Sequence, residues 1–383
     1  MRMITTNFLP EQYQQDSQLM INHNYLTQQF SDCDIILEKI KNVVLNNDFT
    51  LGKSVDAFEE RFQTVLQVKH AIGVGSGTDA LFLSLKALGI QEGDEVITTP
   101  FTFYATIGAI VTAGAKPVFA DINHDYNLDP DQIESKITSK TKAILPVHWA
   151  GKPCHMDDIN FIAKKNNLKV VEDACHAINA TYHHRFAGTL GDVGCFSFHP
   201  LKNLNVWGDG GVITTNNDDI ASQLRLMRNH GLKGRDECVL FSYNSRLDTI
   251  QAVVADHLLS KIENITQSRI HHANYLDAGL KSISAVTIPM RDKNIKQVYH
   301  LYSICCENRD ALKKYLISHG VDAKIHYPIP MHLQPAANYL GYQKNDFPMA
   351  EKISNTTLSL PVHEFISQDN LDRMISLIAE FYT

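Results

Sequence analysis

The feature that most constrains this chain is an alternation. From His70 to Glu172 short apolar runs with β character alternate with helical runs. The strands read as His70–Val74, Glu95–Thr98, Pro117–Ala120, Thr141–Val147 and Leu168–Glu172. Between them lie helices at Ala80–Leu88, Thr102–Ala113, Asp129–Ile137 and Met156–Asn166. The strands lack period-two polarity, so both of their faces are expected to be buried. That pattern predicts a mostly parallel sheet covered by helices on both sides. Chemistry in such folds collects where strands end at their carboxyl side. Phe101–Phe103, His148–Trp149 and Asp173 all follow strand ends.

The flanks are less regular. Residues 1–30 are polar and rich in Gln and Asn, and are expected to form an arm or short helix packed on the body. Asp34–Val44 has helical spacing, with Ile35, Ile36, Ile40, Val43 and Val44 on one face. Ser54 reads as an N-cap for a helix over Val55–Val68 that buries Phe58, Phe62 and Leu66. Helices are expected at Asp218–His230 and Thr249–Ile265. The pattern changes at Ser282. Strands at Val286–Ile288, Leu301–Cys306 and Ala323–His326, with helices at Asp310–His319 and Asp369–Phe381, predict a small α+β domain. A chain of 383 residues is too long for one ordinary core. Two domains are expected, over residues 1–255 and 256–383.

Composition narrows the classes. Apolar residues are 44% and charged residues 20%, which argues against disorder. A net charge of -7 offers no basic face for nucleic acid. No apolar run is long enough to span a membrane, and the Met1 terminus has no signal-peptide core. Seven scattered cysteines without a Cys-x-x-Cys pair read as reduced thiols of a cytoplasmic protein. The eighteen histidines show no metal-site spacing, so no metal is expected.

One lysine stands out. Lys202 lies between two β runs, Val193–Phe198 and Val212–Thr215, beside Trp207 and ahead of Gly208, Gly210 and Gly211. The setting suits a partly desolvated, nucleophilic amine able to form a Schiff base. It equally suits a surface lysine in a glycine-rich hairpin. Gly75-Ser-Gly-Thr-Asp79 links a strand to a helix, and such a turn offers N–H groups to an anion. It lacks Gly-x-Gly-x-x-Gly and the P-loop lysine, so a lone phosphate fits better than a dinucleotide. A turn merely tightened by glycine fits as well.

Together, a phosphate cradle, an acid after a buried strand and a lysine suggest pyridoxal phosphate (PLP). The phosphate needs N–H and hydroxyl donors, the pyridine nitrogen a carboxylate, and the aldehyde a lysine. Eleven pieces follow in order. They are Gly75–Leu81, Gly93–Ile97, Pro100–Phe103, Val147–Gly151, Glu172–Ala177, Ser197–Lys202, Gly208–Gly211, Arg228–Gly231, Asn244–Asp248, His326–Pro328 and Leu358–Pro361. With them, the chain resembles the DegT/DnrJ/EryC1/StrS family of PLP-dependent sugar aminotransferases from about Phe49 to Pro361.

The resemblance implies an α/β fold of the type I PLP-dependent transferases. It has a large, mostly parallel-sheet cofactor domain and a small C-terminal α+β domain. It implies that Lys202 is the Schiff-base lysine and that Asp173 pairs with the pyridinium. Phe103 would stack on the ring, with Cys175 on its other face. Gly77, Thr78 and Ser197 would hold the phosphate. His176 would contact the phenolic oxygen, where relatives often carry Gln. Asn244 and Arg246 would reach into a partner subunit, so a homodimer with sites at its interface is expected. His326 and Tyr327 are expected to touch substrate; they and His148 could also be structural.

L-glutamate is the expected donor. The acceptor is a nucleotide-linked ketosugar or a free sugar acid such as 8-oxo-3,8-dideoxy-octulosonate, feeding lipopolysaccharide or another surface polysaccharide. Two rivals are a sugar dehydratase, whose subgroup replaces the lysine by histidine, and a PLP-fold regulator without turnover.

Overall fold

The computed structural model describes residue 16 and residues 18–383. The start of the expected arm and the Met1 terminus lie outside the described residues.

Seven strands form the main sheet: β1 (His70–Val74), β2 (Glu95–Thr98), β3 (Lys116–Phe119), β4 (Thr141–Leu145), β5 (Lys169–Asp173), β6 (Val193–Ser197) and β7 (Gly211–Thr215). Their spatial order is β1-β7-β6-β5-β4-β2-β3. β6 runs parallel to β5, opposing Cys195 to Asp173. β7 runs antiparallel to both neighbours, opposing Gly211 to Val74 on one side and to Ser197 on the other. The expected mostly parallel sheet is therefore present, with one reversed strand. That reversal makes residues 198–210 a wide hairpin loop at the carboxyl end of β6, and this loop carries Lys202.

Both faces are covered. Phe196 and Val212 point into one core, against helices α2 (Lys53–Leu66) and α7 (Thr249–Leu259). Their neighbours Cys195 and Ile213 point into the other. The helices there are α3 (Gly77–Ala87), α4 (Tyr104–Thr112) and α6 (Asp218–Met227). α8 (Ile262–Leu280) joins the two ends of the molecule: Ile262 packs in the sheet's core, whereas Ala273 and Leu276 pack in a C-terminal core. That second core surrounds a three-stranded antiparallel sheet of Val286–Thr287, Tyr302–Cys306 and Thr357–Leu360. The N-terminal arm also belongs to it. Ile21 is buried there, and Met20 and Ile21 donate backbone hydrogen bonds to Gly320 O.

Several expectations fail for identifiable reasons. Residues 129–137 form two 3₁₀ turns, Pro130–Gln132 and Glu134–Lys136, instead of an α-helix. Ser54 does not cap α2, which starts at Lys53 after Gly52; Ser54 N and Oγ both donate to Asp48. The expected helix Thr249–Ile265 breaks at Ser260–Lys261, ahead of the helix that crosses to the C-terminal core. Ala323–His326 forms no strand, only a bridge from Lys324 to Ser359. In the helix Cys33–Leu45, Ile36 and Val43 are buried, but Ile35 and Val44 are more than half exposed. No helix among the described residues is long and apolar enough to cross a membrane.

Candidate active site

A cavity of about 460 Å³ opens at the carboxyl ends of β5 and β6 and extends to the C-terminal sheet. It brings together Gly77, Thr78, Phe103, Asp173, His176, Ser197, Lys202, His326 and Tyr327, all nine read from the sequence. Cys175 also lines it.

Asp173 is the last residue of β5. Its side chain is buried and held from two directions. Thr106 Oγ1 donates to Oδ2 at 2.8 Å, and Cys175 N donates to Oδ1 at 3.2 Å. Thr102 and Thr106 hydroxyls share a further hydrogen bond of 2.7 Å. Hydrogen bonds to both oxygens fix the plane of the carboxylate.

Across the cavity, burial lowers the Lys202 ammonium from 10.5 to about 8, against the opposing pull of Cys175 and Asp173. More of it is therefore neutral amine near neutral pH than in a free lysine, and that is the form that attacks a carbonyl. Leu201, just before it, has a left-handed backbone with φ of 73°.

The turn between β1 and α3 faces the same space. Ser76 caps α3, its Oγ accepting from Asp79 N at 3.0 Å. The N–H groups of Gly77 and Thr78 begin the helix and have no helical acceptor. A Cβ on Gly77 would sit 2.5 Å from Ser197 Cβ and 3.1 Å from Cys175 Sγ. The glycine thus keeps open a cradle lined by amides and hydroxyls.

His176 is buried, and burial pushes its imidazolium well below the ordinary value. Ala150 N donates to its Nδ1 at 3.3 Å, so the neutral ring carries its proton on Nε2. Its ring lies 4.3 Å from that of His300, which also lines the cavity. Phe103 is 51% exposed and so is no core residue; it lies at the N-terminus of α4 with its ring 6.3 Å from Tyr327. His326 Nδ1 shares a 2.9 Å hydrogen bond with Ser359 Oγ, and burial drives its pKa down to about 3. Tyr327 has a left-handed backbone, φ 58°, and burial raises its phenol.

His148 lies outside the lining. Cys154 N donates to its Nδ1 at 3.1 Å, and its Nε2 is 2.9 Å from Glu172 Oε2. Glu172 accepts three further bonds, from Gly188, Leu190 and Gly191 amides. This histidine holds the β4–β5 end together. Asn244 and Arg246 also lie outside the lining. They stand behind the Gly75 turn, where Ser245 O accepts from Gly75 N and Arg246 Nη1 donates to Asn229 Oδ1 at 3.0 Å.

Among the lining groups with strong chemistry that sequence reasoning missed are His23 and Tyr25 of the arm, Arg269 of α8, and His300. None sits in a local pattern. They lie on separate segments that only the fold brings together here.

Sheet and cavity define an α/β protein in which a buried amine and a fixed carboxylate line one cavity. The chain belongs to the DegT/DnrJ/EryC1/StrS aminotransferase family, whose model matches residues 32–379. It is 40% identical over 348 residues to the dTDP-3-amino-3,6-dideoxy-alpha-D-galactopyranose transaminase of Aneurinibacillus thermoaerophilus, covering 90% of this chain and 95% of that one. It is also 40% identical over 350 residues to a pleiotropic regulatory protein of Geobacillus stearothermophilus, covering 91% and 94%. Among solved structures, S. venezuelae DesV superposes with a TM-score of 0.92 at 34% identity, covering 94% of this chain and 98% of that one. The resemblance read from the sequence, and the α/β fold with it, are borne out.

Proposed function

We propose that the protein is a PLP-dependent aminotransferase moving an amino group from L-glutamate to the carbonyl carbon of a sugar. The observation that carries this reading is the pairing, in one cavity, of the depressed Lys202 amine with the Asp173 carboxylate held by Thr106 and Cys175.

The residues present fit the cofactor. The Gly77 cradle, with Thr78 and Ser197, suits a phosphate at a helix N-terminus. Asp173 suits a protonated ring nitrogen, and the His176 Nε2 proton suits a phenolic oxygen. Phe103, half exposed on the cavity, offers a face to a flat ring. When bound, PLP supplies an electron sink for the bonds of the substrate carbon. Lys202 would hold the cofactor's aldehyde at rest and would move the proton at the substrate carbon. His326 and Tyr327, on the C-terminal side, orient the sugar. Tyr327 keeps its proton and donates.

The acceptor is a ketosugar, nucleotide-linked or a free sugar acid such as 8-oxo-3,8-dideoxy-octulosonate, and the product feeds lipopolysaccharide or another surface polysaccharide. The working unit is a homodimer in which Asn244 and Arg246 reach the partner's cavity. Exposed apolar side chains beside them, Phe241, Val239 and Tyr243, support that placement. The regulator among the relatives keeps a second reading in play, a sensor that binds cofactor without turnover.

A spectrum distinguishes them. The protein reconstituted with PLP is expected to show a visible band that bleaches with L-glutamate and yields 2-oxoglutarate. A band indifferent to every amino donor would sink the aminotransferase reading. Candidate sugars are then screened for return of the band from the pyridoxamine form.

A further inference from the structure

We infer that Tyr25, on the N-terminal arm, is a positioning residue for Lys202: its hydroxyl holds the backbone of the lysine loop in the conformation that places the amine in the cavity. The inference rests on the reading above, that Lys202 is the working amine.

The contacts are specific. Tyr25 Oη donates to Leu201 O at 3.3 Å and to Lys202 O at 3.2 Å. The residue it grips is strained: Leu201 holds φ at 73°, which a branched L-residue adopts only where its surroundings enforce it. A second tie runs in parallel. Asn205 Nδ2 donates to Lys202 O at 2.9 Å and to Gln29 Oε1, four residues along the arm, at 2.6 Å. Arm and lysine loop are 176 residues apart in sequence, so these bonds exist only in the fold.

Tyr25 is itself well anchored. It is 3% exposed. Its ring stacks on His363 at 4.8 Å, and the Arg269 guanidinium lies 5.0 Å over its face. Burial pushes the phenol well up, so the hydroxyl stays protonated and remains a donor across the physiological range. A ring fixed by two partners delivers its hydroxyl to one place. That place is the pair of carbonyls flanking the Cα of the catalytic amine.

Tyr25→Phe keeps the ring contacts and removes the hydroxyl, with its bonds to the loop and its contact with Arg269. Two measurements on the full chain test the role. In the cofactor-free protein, the pH midpoint of acetic anhydride labelling of Lys202, read by peptide mass, is expected to rise from about 8 toward the ordinary 10.5 as the loop loosens and water reaches the amine. The groups that feel this amine, Asp173, Cys175, His176, His199, His300 and His326, are unchanged in the variant. On adding PLP, the visible band should form about tenfold more slowly, the worth of one ordinary hydrogen bond. Gln29→Leu, loosening the second tie, should move both readouts the same way. A lowered Tm with unchanged midpoint and rate would assign the hydroxyl a merely structural role and overturn the proposal, as would full wild-type behaviour. If the wild type forms no band with PLP, the proposed function fails, while the labelling midpoint still decides the role of Tyr25.

Discussion

Thr106 Oγ1 donates to Asp173 Oδ2 at 2.8 Å, and this bond joins the first turn of α4 to the end of β5. It decides which way the carboxylate faces. Thr106→Val removes the donor at nearly constant volume and leaves a buried carboxylate oxygen short of a partner. Losing a bond to a charged group is worth about 1.5–3 kcal/mol. Weaker PLP binding, by about tenfold or more, is the expected result in a spectroscopic titration. Asp173→Asn should retain the fold and lose turnover by orders of magnitude, since an amide supplies no charge to the ring nitrogen. Full activity in Asp173→Asn would make the acid structural.

Lys202→Ala should fold normally, because the side chain lines a cavity and belongs to no hydrophobic core. Turnover should disappear, and the visible band of the lysine-bound cofactor with it. Near-normal turnover would refute the assignment.

Lys202 also makes a stability prediction. Its folded pKa, about 8, lies below its unfolded 10.5, so between those values the unfolded chain binds more protons. Stability then rises with pH across that window. The buried ammonium costs about 3 kcal/mol below pH 8 at about 1.4 kcal/mol per unit. Cofactor-free Lys202→Met should therefore melt higher than wild type at pH 7, with the difference shrinking toward pH 10. His23, His326 and His363 act in the acid range. Burial lowers each to about 3, so stability is present above 6.5 and is lost as pH falls below it. A melting profile against pH checks both limbs.

Gly77→Ala tests the anion cradle. The new Cβ would meet Ser197 at 2.5 Å and Cys175 at 3.1 Å. Overpacking of this kind costs about 1–3 kcal/mol, and here it fills the space proposed for the phosphate. Loss of PLP binding with a folded protein, seen by circular dichroism, is expected. Wild-type affinity would place the phosphate elsewhere.

Arg246 tests the two-chain site. Lys202→Ala and Arg246→Ala, each inactive alone, should recover partial activity when co-expressed with different tags and isolated as the doubly tagged fraction. A mixed dimer then carries one site with both residues intact. An inactive mixed fraction would mean that each site is complete within one chain.

The sequence by itself determined the cofactor half of this protein. The strands before the Gly75 turn, Asp173 and Lys202 are buried on both faces, so each reads as a continuous apolar run, and their ends mark the site. Phe103 was legible as a residue following such a run, whereas the roles of His176 and Ser197 came from the family resemblance. Tertiary structure decided what local pattern does not encode. The reversal of β7 turns residues 198–210 into the hairpin that carries Lys202. Tyr25 and His23 reach the cavity because Ile21 is buried in the C-terminal core, a contact about 300 residues distant that no periodicity announces. Arg269 enters because α8 leaves one core for the other, and His300 enters just ahead of the strand Tyr302–Cys306. Local pattern reports whether a residue is buried; which distant residue it meets depends on chain closure, and here that closure completes the site.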